Sequence, residues 1–85
     1  MIKSIDHILI SVKSIEESCG HYEKILGIKP TWRGKHPDLG TENALFPLDN
    51  LYLELIAGTS EGFLADKVND HIEQNGESIF GIALE

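Results

Sequence analysis

The chain has 85 residues, 41% hydrophobic and 25% charged, with a net charge of −7. That length is one small domain, and the composition argues against intrinsic disorder. The excess of acid disfavours attachment to a phosphate backbone or an anionic membrane, so neither nucleic acid nor membrane is expected as a partner.

Residues 2–12 (IKSIDHILISV) read as a strand, rich in β-branched residues and bounded by polar ones. Strict alternation puts Asp6, Ile8, Ile10 and Val12 on one face and Ile5, His7, Leu9 and Ser11 on the other. Ser14 and Glu17 fit a capping box that starts a helix. Ile15, Cys19, Tyr22 and Leu26 form its apolar stripe, and Gly27 is the stop. Cys19 is the single cysteine and reads as core. An intrachain disulfide or a thiolate-rich metal site is therefore excluded, which fits a reducing compartment. With no signal peptide and no apolar run near the roughly 20 residues of a membrane span, a cytoplasmic location is expected.

Residues 28–33 read as a short second strand, with Pro30 marking an edge, and residues 34–40 as a loop rich in turn residues. Trp32, Arg33 and His36 precede or occupy that loop, a usual place for binding residues. Arg33 could hold a ligand carboxylate in a forked pair. Residues 42–48 and 51–56 read as a hairpin turning at Asp49-Asn50. In that register Leu48 faces Leu51, Phe46 faces Leu53 and Ala44 faces Leu55, all apolar and all on one face. The opposite face carries Asn43, Leu45, Tyr52, Glu54 and Ile56, the mixture expected of a surface that meets a ligand. Asn43 offers an amide and Tyr52 a phenol to a polar substrate. Ser60 reads as the cap of a second helix to Asn75, with Phe63, Leu64, Val68 and Ile72 as its stripe and Gly76 as its end. His21 and His71 read as helix surface. Residues 78–84 (SIFGIAL) read as a last strand. SIFGIALE (78–85) can be laid on SIDHILIS (4–11), with Ser on Ser and two Ile on two Ile, as if the last strand opened a second copy of the first unit.

The expected class is thus α+β, in the order β-α-β-β-β-α-β. IDHILISV, the helix ending YEKILGI, and GTENALFPLDNLYLELIA together resemble the vicinal oxygen chelate superfamily, specifically its glyoxalase-like and bleomycin resistance domains. The resemblance implies one βαβββ module over residues 1–57, with residues 58–85 supplying a helix and the opening strand of a second module. In such proteins two modules pair to form a cup, which in many members holds a divalent metal. His7 and Glu54 stand at the first module's ligand positions, a donor pair suited to Zn²⁺, Ni²⁺, Mn²⁺ or Fe²⁺. Glu54 is also the candidate base. Gly81 occupies the second module's histidine position and cannot be a side-chain ligand.

The resemblance therefore implies a homodimer in which two chains pool His7 and Glu54, or an assembly that swaps the last strand. The chemistry implied is that of a metal-dependent lyase, isomerase or dioxygenase acting on a small molecule, with Asn43, Tyr52, Arg33 and His36 as substrate-binding candidates. A metal-free, bleomycin-resistance-like binding module and an inactive remnant stand open as alternatives.

Overall fold

In the computed structural model, which describes residues 4–84, five strands form one sheet in the order β2-β3-β4-β1-β5. The elements are β1 (Ile5–Ser11), α1 (Ile15–Leu26), β2 (Trp32–His36), β3 (Thr41–Pro47), β4 (Tyr52–Gly58), α2 (Phe63–Asn75) and β5 (Ser78–Leu84). The expected start of the first strand at Ile2 lies outside the described residues. Strands β1 and β4 run parallel, and every other pairing is antiparallel.

The hairpin adopts the expected register. Ala44 pairs with Leu55 and Phe46 with Leu53, and the Leu48 N–H donates to the Leu51 carbonyl at 2.8 Å across the turn. The α1 stripe packs on that apolar face. Val12, Ile15, Cys19, Ala44, Phe46, Leu53, Leu55 and Ala57 form one buried cluster, with Ile8, Ile10, Tyr22 and Leu26 against it. Helix α1 begins as expected, with Ser14 Oγ accepting from the Glu17 N–H at 3.2 Å. It ends at Gly27, whose φ of +72° is the left-handed conformation that glycine adopts without strain.

Two elements depart from the sequence expectation. The second strand is Trp32–His36, not residues 28–33, so the first three residues of the expected loop, 34–36, are strand. Gly34 sits in its middle, and a Cβ there would run into the Trp32 indole. The ring lies over the glycine and supplies the packing that the glycine lacks. Helix α2 begins at Phe63 behind Gly62, with no side-chain cap, so Ser60 does not play that role. The β2–β3 turn takes its place: the Leu39 carbonyl accepts from the Ala65 N–H at 3.1 Å, and the Gly40 carbonyl from the Thr59 N–H at 2.8 Å. The first of these bonds uses a carbonyl of a neighbouring loop to satisfy a helix start. Gly40 is required at that contact. Its φ is +70°, and a Cβ would meet the Ser60 and Glu61 carbonyl oxygens at 2.7 Å.

The α2 stripe is rotated from the one expected. Ala65 and Val68 are buried, whereas Phe63 is exposed, with the Lys67 ammonium 4.8 Å from its ring centre. Helix α2 lies over the far end of the sheet face opposite α1. It approaches at Gly58, where a Cβ would meet the Asn69 side chain and the Ala65 carbonyl. Thr41, Asn43, Ser11 and Ile56 are buried at that end. Among the described residues no helix is long and apolar enough to cross a membrane.

Phe46 is fully buried between the sheet and α1, its ring centre 6.3 Å from that of Tyr22. Phe46→Ala is expected to cost about 3–5 kcal/mol, enough to unfold most of so small a domain, as read by circular dichroism in urea. Burial pushes the Cys19 thiol up, with the Arg33 charge opposing it only in part. The thiol stays protonated and enclosed, so a thiol reagent at pH 8 is expected to label Cys19 slowly in native protein and at once in urea.

Candidate functional site

The sheet face opposite α1 is covered by α2 at one end only. Period-2 alternation puts His7 and Leu9 of β1, Asn43 and Leu45 of β3, and Tyr52, Glu54 and Ile56 of β4 on it. The parallel register sets His7 beside Tyr52 and Leu9 beside Glu54. From there the imidazole reaches one residue along, and His7 Nε2 lies 3.3 Å from Glu54 Oε1. Asn43 reaches Glu54 from the other side, its Nδ2 donating to Glu54 Oε2 at 2.5 Å. Glu54 is thus gripped by two neighbouring strands while its side chain is only 17% exposed.

The second imidazole nitrogen is also held. His7 Nδ1 lies 2.8 Å from Asp6 Oδ2, and because an ionised carboxylate only accepts, Nδ1 carries the proton of that bond. In the neutral tautomer Nε2 then presents a lone pair toward Glu54 Oε1. Two lone-pair donors 3.3 Å apart, the imidazole backed by a carboxylate, match the first ligands of a divalent ion and their supporting hydrogen bond. Among the described residues no group of three or more His, Cys, Asp or Glu could hold a metal. Asn43 Oδ1 is buried with no hydrogen-bond partner among the described residues, an acceptor still available beside the pair.

The structure therefore brings together His7, Glu54 and Asn43, with Tyr52 at the exposed rim. His36 lies on the same face at the outer strand, its ring 5.8 Å from that of Trp32, next to Thr41 rather than next to the His7–Glu54 pair. Arg33 is a correction. It pairs with Ala44, so it faces α1, where its guanidinium meets Glu16 at 3.2 Å and Glu42 at 3.6 Å. With the strand displaced from 28–33 to 32–36, Arg33 is a strand residue of fixed face and not a free loop residue. The Glu16 carboxylate holds its guanidinium above its usual range, so it is committed as a cation on the wrong side of the sheet.

Asp6 was not expected here, because strict alternation puts it with Ile8 on the α1 face. The β1–β5 register shifts between Ile5 and His7, and this irregularity lets Asp6 bond the adjacent imidazole. The Asp-His pair in the sequence was the available signal.

Residues 5–85 match the family model described as a glyoxalase-like domain. The chain belongs to the glyoxalase-like domain family. No curated protein matches it. Among solved structures, a methylmalonyl-CoA epimerase from Streptomyces coelicolor in complex with 2-nitronate-propionyl-CoA superposes with a TM-score of 0.84 at 22% identity, over 99% of this chain and 60% of that one. Methylmalonyl-CoA epimerase from Mycobacterium tuberculosis gives 0.79 at 21% identity, over 98% and 55%. A hypothetical protein from Bacillus halodurans gives 0.76 at 26% identity, over 95% and 56%. At such identities the two epimerases establish a shared fold. The glyoxalase-like chain spans about 60% of the length of the first of them.

Asn43→Leu keeps the branching at Cγ but removes the donor to Glu54, leaving a mostly buried carboxylate short of one hydrogen bond. A loss of about 1–3 kcal/mol is expected in thermal or urea unfolding. Arg33→Ala is expected to stay within about 1 kcal/mol of the wild type, since its ion pairs are surface ones.

Proposed function

We propose that the cup binds a small carbonyl compound and that His7 and Glu54 are its working groups, sharing a divalent ion with the same pair from a second chain. The observation that carries this reading is the His7 Nε2–Glu54 Oε1 approach of 3.3 Å, with Asp6 behind the imidazole and Asn43 behind the carboxylate. His7 Nε2 and Glu54 would hold Zn²⁺, Ni²⁺, Mn²⁺ or Fe²⁺. When bound, such an ion supplies Lewis acidity to neighbouring substrate oxygens.

The chain's own residues do the rest. Asp6 fixes the imidazole tautomer and keeps Nε2 as the donor that faces the cup. Asn43 keeps Glu54 Oε2 occupied, which leaves Oε1 as the reactive oxygen. A carboxylate so placed takes a proton from a carbon next to a carbonyl and returns it, the exchange at the heart of an isomerase or lyase. Two of the structural neighbours are methylmalonyl-CoA epimerases, which supports this class over dioxygenase chemistry. Leu9 and Leu45 give the floor apolar surface against which the Glu54 charge is poorly hydrated. Tyr52, at the rim, offers its phenol to a polar substituent.

A metal-free binding module is the second reading, and one observation favours it. His7 Nε2 and Glu54 Oε1 are near enough to partner one another directly, without an ion between them.

Calorimetric titration of metal-stripped protein with Mn²⁺, Ni²⁺ and Zn²⁺ separates the two. About one ion per two chains is expected, with binding lost in His7→Ala, together with a fall in melting temperature when a chelator is added to the loaded protein. No binding by any of the ions would leave the metal-free module.

A further inference from the structure

Helix α2 ends at Asn75, and Gly76 follows it; both residues are exposed. The other asparagines, Asn43, Asn50 and Asn69, precede Ala44, Leu51 and Asp70, so Asn75 is the one followed by glycine. Without a Cβ, the Gly76 backbone nitrogen can swing against the carbonyl carbon of the Asn75 side chain. The space around Gly76 is open, and water reaches it.

The fold restrains both of these atoms. The Gly76 N–H donates to the Ile72 carbonyl at 2.7 Å, and Asn75 Nδ2 donates to the His71 carbonyl at 3.2 Å. A carbonyl only accepts, which assigns the amide nitrogen to that side. The same nitrogen lies 3.4 Å from His71 Nδ1, so Nδ1 accepts and the imidazole proton sits on Nε2. From there Nε2 donates to Ser78 Oγ at 3.0 Å, and Ser78 Oγ donates to the Gly76 carbonyl at 3.2 Å. These bonds run in one direction, starting on Asn75 and closing on Gly76. They clasp the connection between α2 and β5.

We propose that Asn75 is a modification site: it deamidates without an enzyme, at a rate set by opening of the last turn of α2, and the product releases the clasp. In the open turn the Gly76 nitrogen gives up its proton and attacks Asn75 Cγ. The N–Cγ bond forms, the Cγ–Nδ2 bond breaks, and ammonia leaves with that proton. Water then opens the five-membered imide at either carbonyl, leaving aspartate or its isoaspartyl isomer. One water enters, one ammonia departs, and no electrons are transferred.

Either product puts a carboxylate where a donor stood, and a carboxylate only accepts. It cannot donate to the His71 carbonyl or to Nδ1, so the directed chain loses its first member. Its negative charge also falls at the C-terminal end of α2, where the helix dipole is already negative and the last turn holds no basic residue. The isoaspartyl form adds a carbon to the backbone beside Gly76, whose φ of +74° and bond to Ile72 close the helix.

The wild-type chain carries the first test. It is held in warm, mildly alkaline buffer, native or in guanidinium chloride, and its peptides are weighed for the one-dalton gain of amide turned acid. The gain is expected at Asn75, with native protein converting at least about tenfold more slowly than denatured protein, because only the open fraction reacts. Equal rates in the two states, or a gain that appears first at Asn50, overturn the proposal. Ser78→Ala breaks the clasp without touching the reacting pair. It is expected to speed conversion of native protein several-fold and to leave the denatured rate unchanged; an unchanged native rate overturns the role given to the clasp.

Asn75→Asp imitates one product and needs no incubation. Hydrogen exchange at the Gly76 amide is expected to quicken several-fold, while the Leu55 amide in the centre of the sheet keeps its wild-type rate. A Gly76 amide as protected as in the wild type would show that the product leaves the α2–β5 connection closed, against the proposal.

Discussion

The parallel pairing of β1 with β4 is the constraint on which the rest of the structure depends. Parallel neighbours cannot be joined by a tight turn, so the chain must leave β1 and return through a long crossover. Here the crossover is α1, β2 and β3, and it covers one face of the sheet with the α1 stripe. The same pairing brings a histidine from one end of that crossover beside a glutamate from the other. Fold and site thus share a cause: a register slip of one residue between β1 and β4 would turn Glu54 toward α1 and bury an unpaired carboxylate in the apolar cluster.

Much of this is legible in the sequence because two periods are clean. The hairpin's apolar face, Ala44, Phe46, Leu53 and Leu55, alternates without exception, and the Ser14–Glu17 start and Gly27 stop of α1 depend on local chemistry alone. What was not legible depends on contacts between distant segments. Strand β2 was displaced because Gly34, a strand breaker by itself, is packed by the Trp32 indole. The start of α2 was misplaced because the Leu39 carbonyl, not the Ser60 hydroxyl, accepts from its Ala65 N–H. Arg33 read as a loop residue free to meet a ligand; as a strand residue its face is fixed, and that face belongs to α1.

The site itself was half legible. His7, Glu54, Asn43 and Tyr52 share a face by alternation alone, and the structure adds that the first three touch in a chain. Asp6 escaped because strand alternation sends adjacent residues to opposite faces, and only the irregularity beside it defeats that rule. His71, which read as helix surface, ties α2 to Ser78 and sets its ring edge-on to Phe80, 5.4 Å between centres. Among the described residues no group of three His, Cys, Asp or Glu comes together around His7 and Glu54, where a catalytic zinc usually has three protein ligands.

The central claim is that the His7–Glu54 pair is where this protein meets a cation. Adding substoichiometric Mn²⁺ to ¹⁵N-labelled protein tests it directly, since the ion's unpaired electrons broaden nearby amide resonances. The account predicts loss of signal centred on His7, Leu9, Leu45 and Glu54, while Ile15 and Cys19 behind the sheet keep theirs until higher ratios. Broadening centred on the acidic face of α2 around Asp66, Asp70 and Glu73, with the His7 and Glu54 amides unaffected, would contradict it.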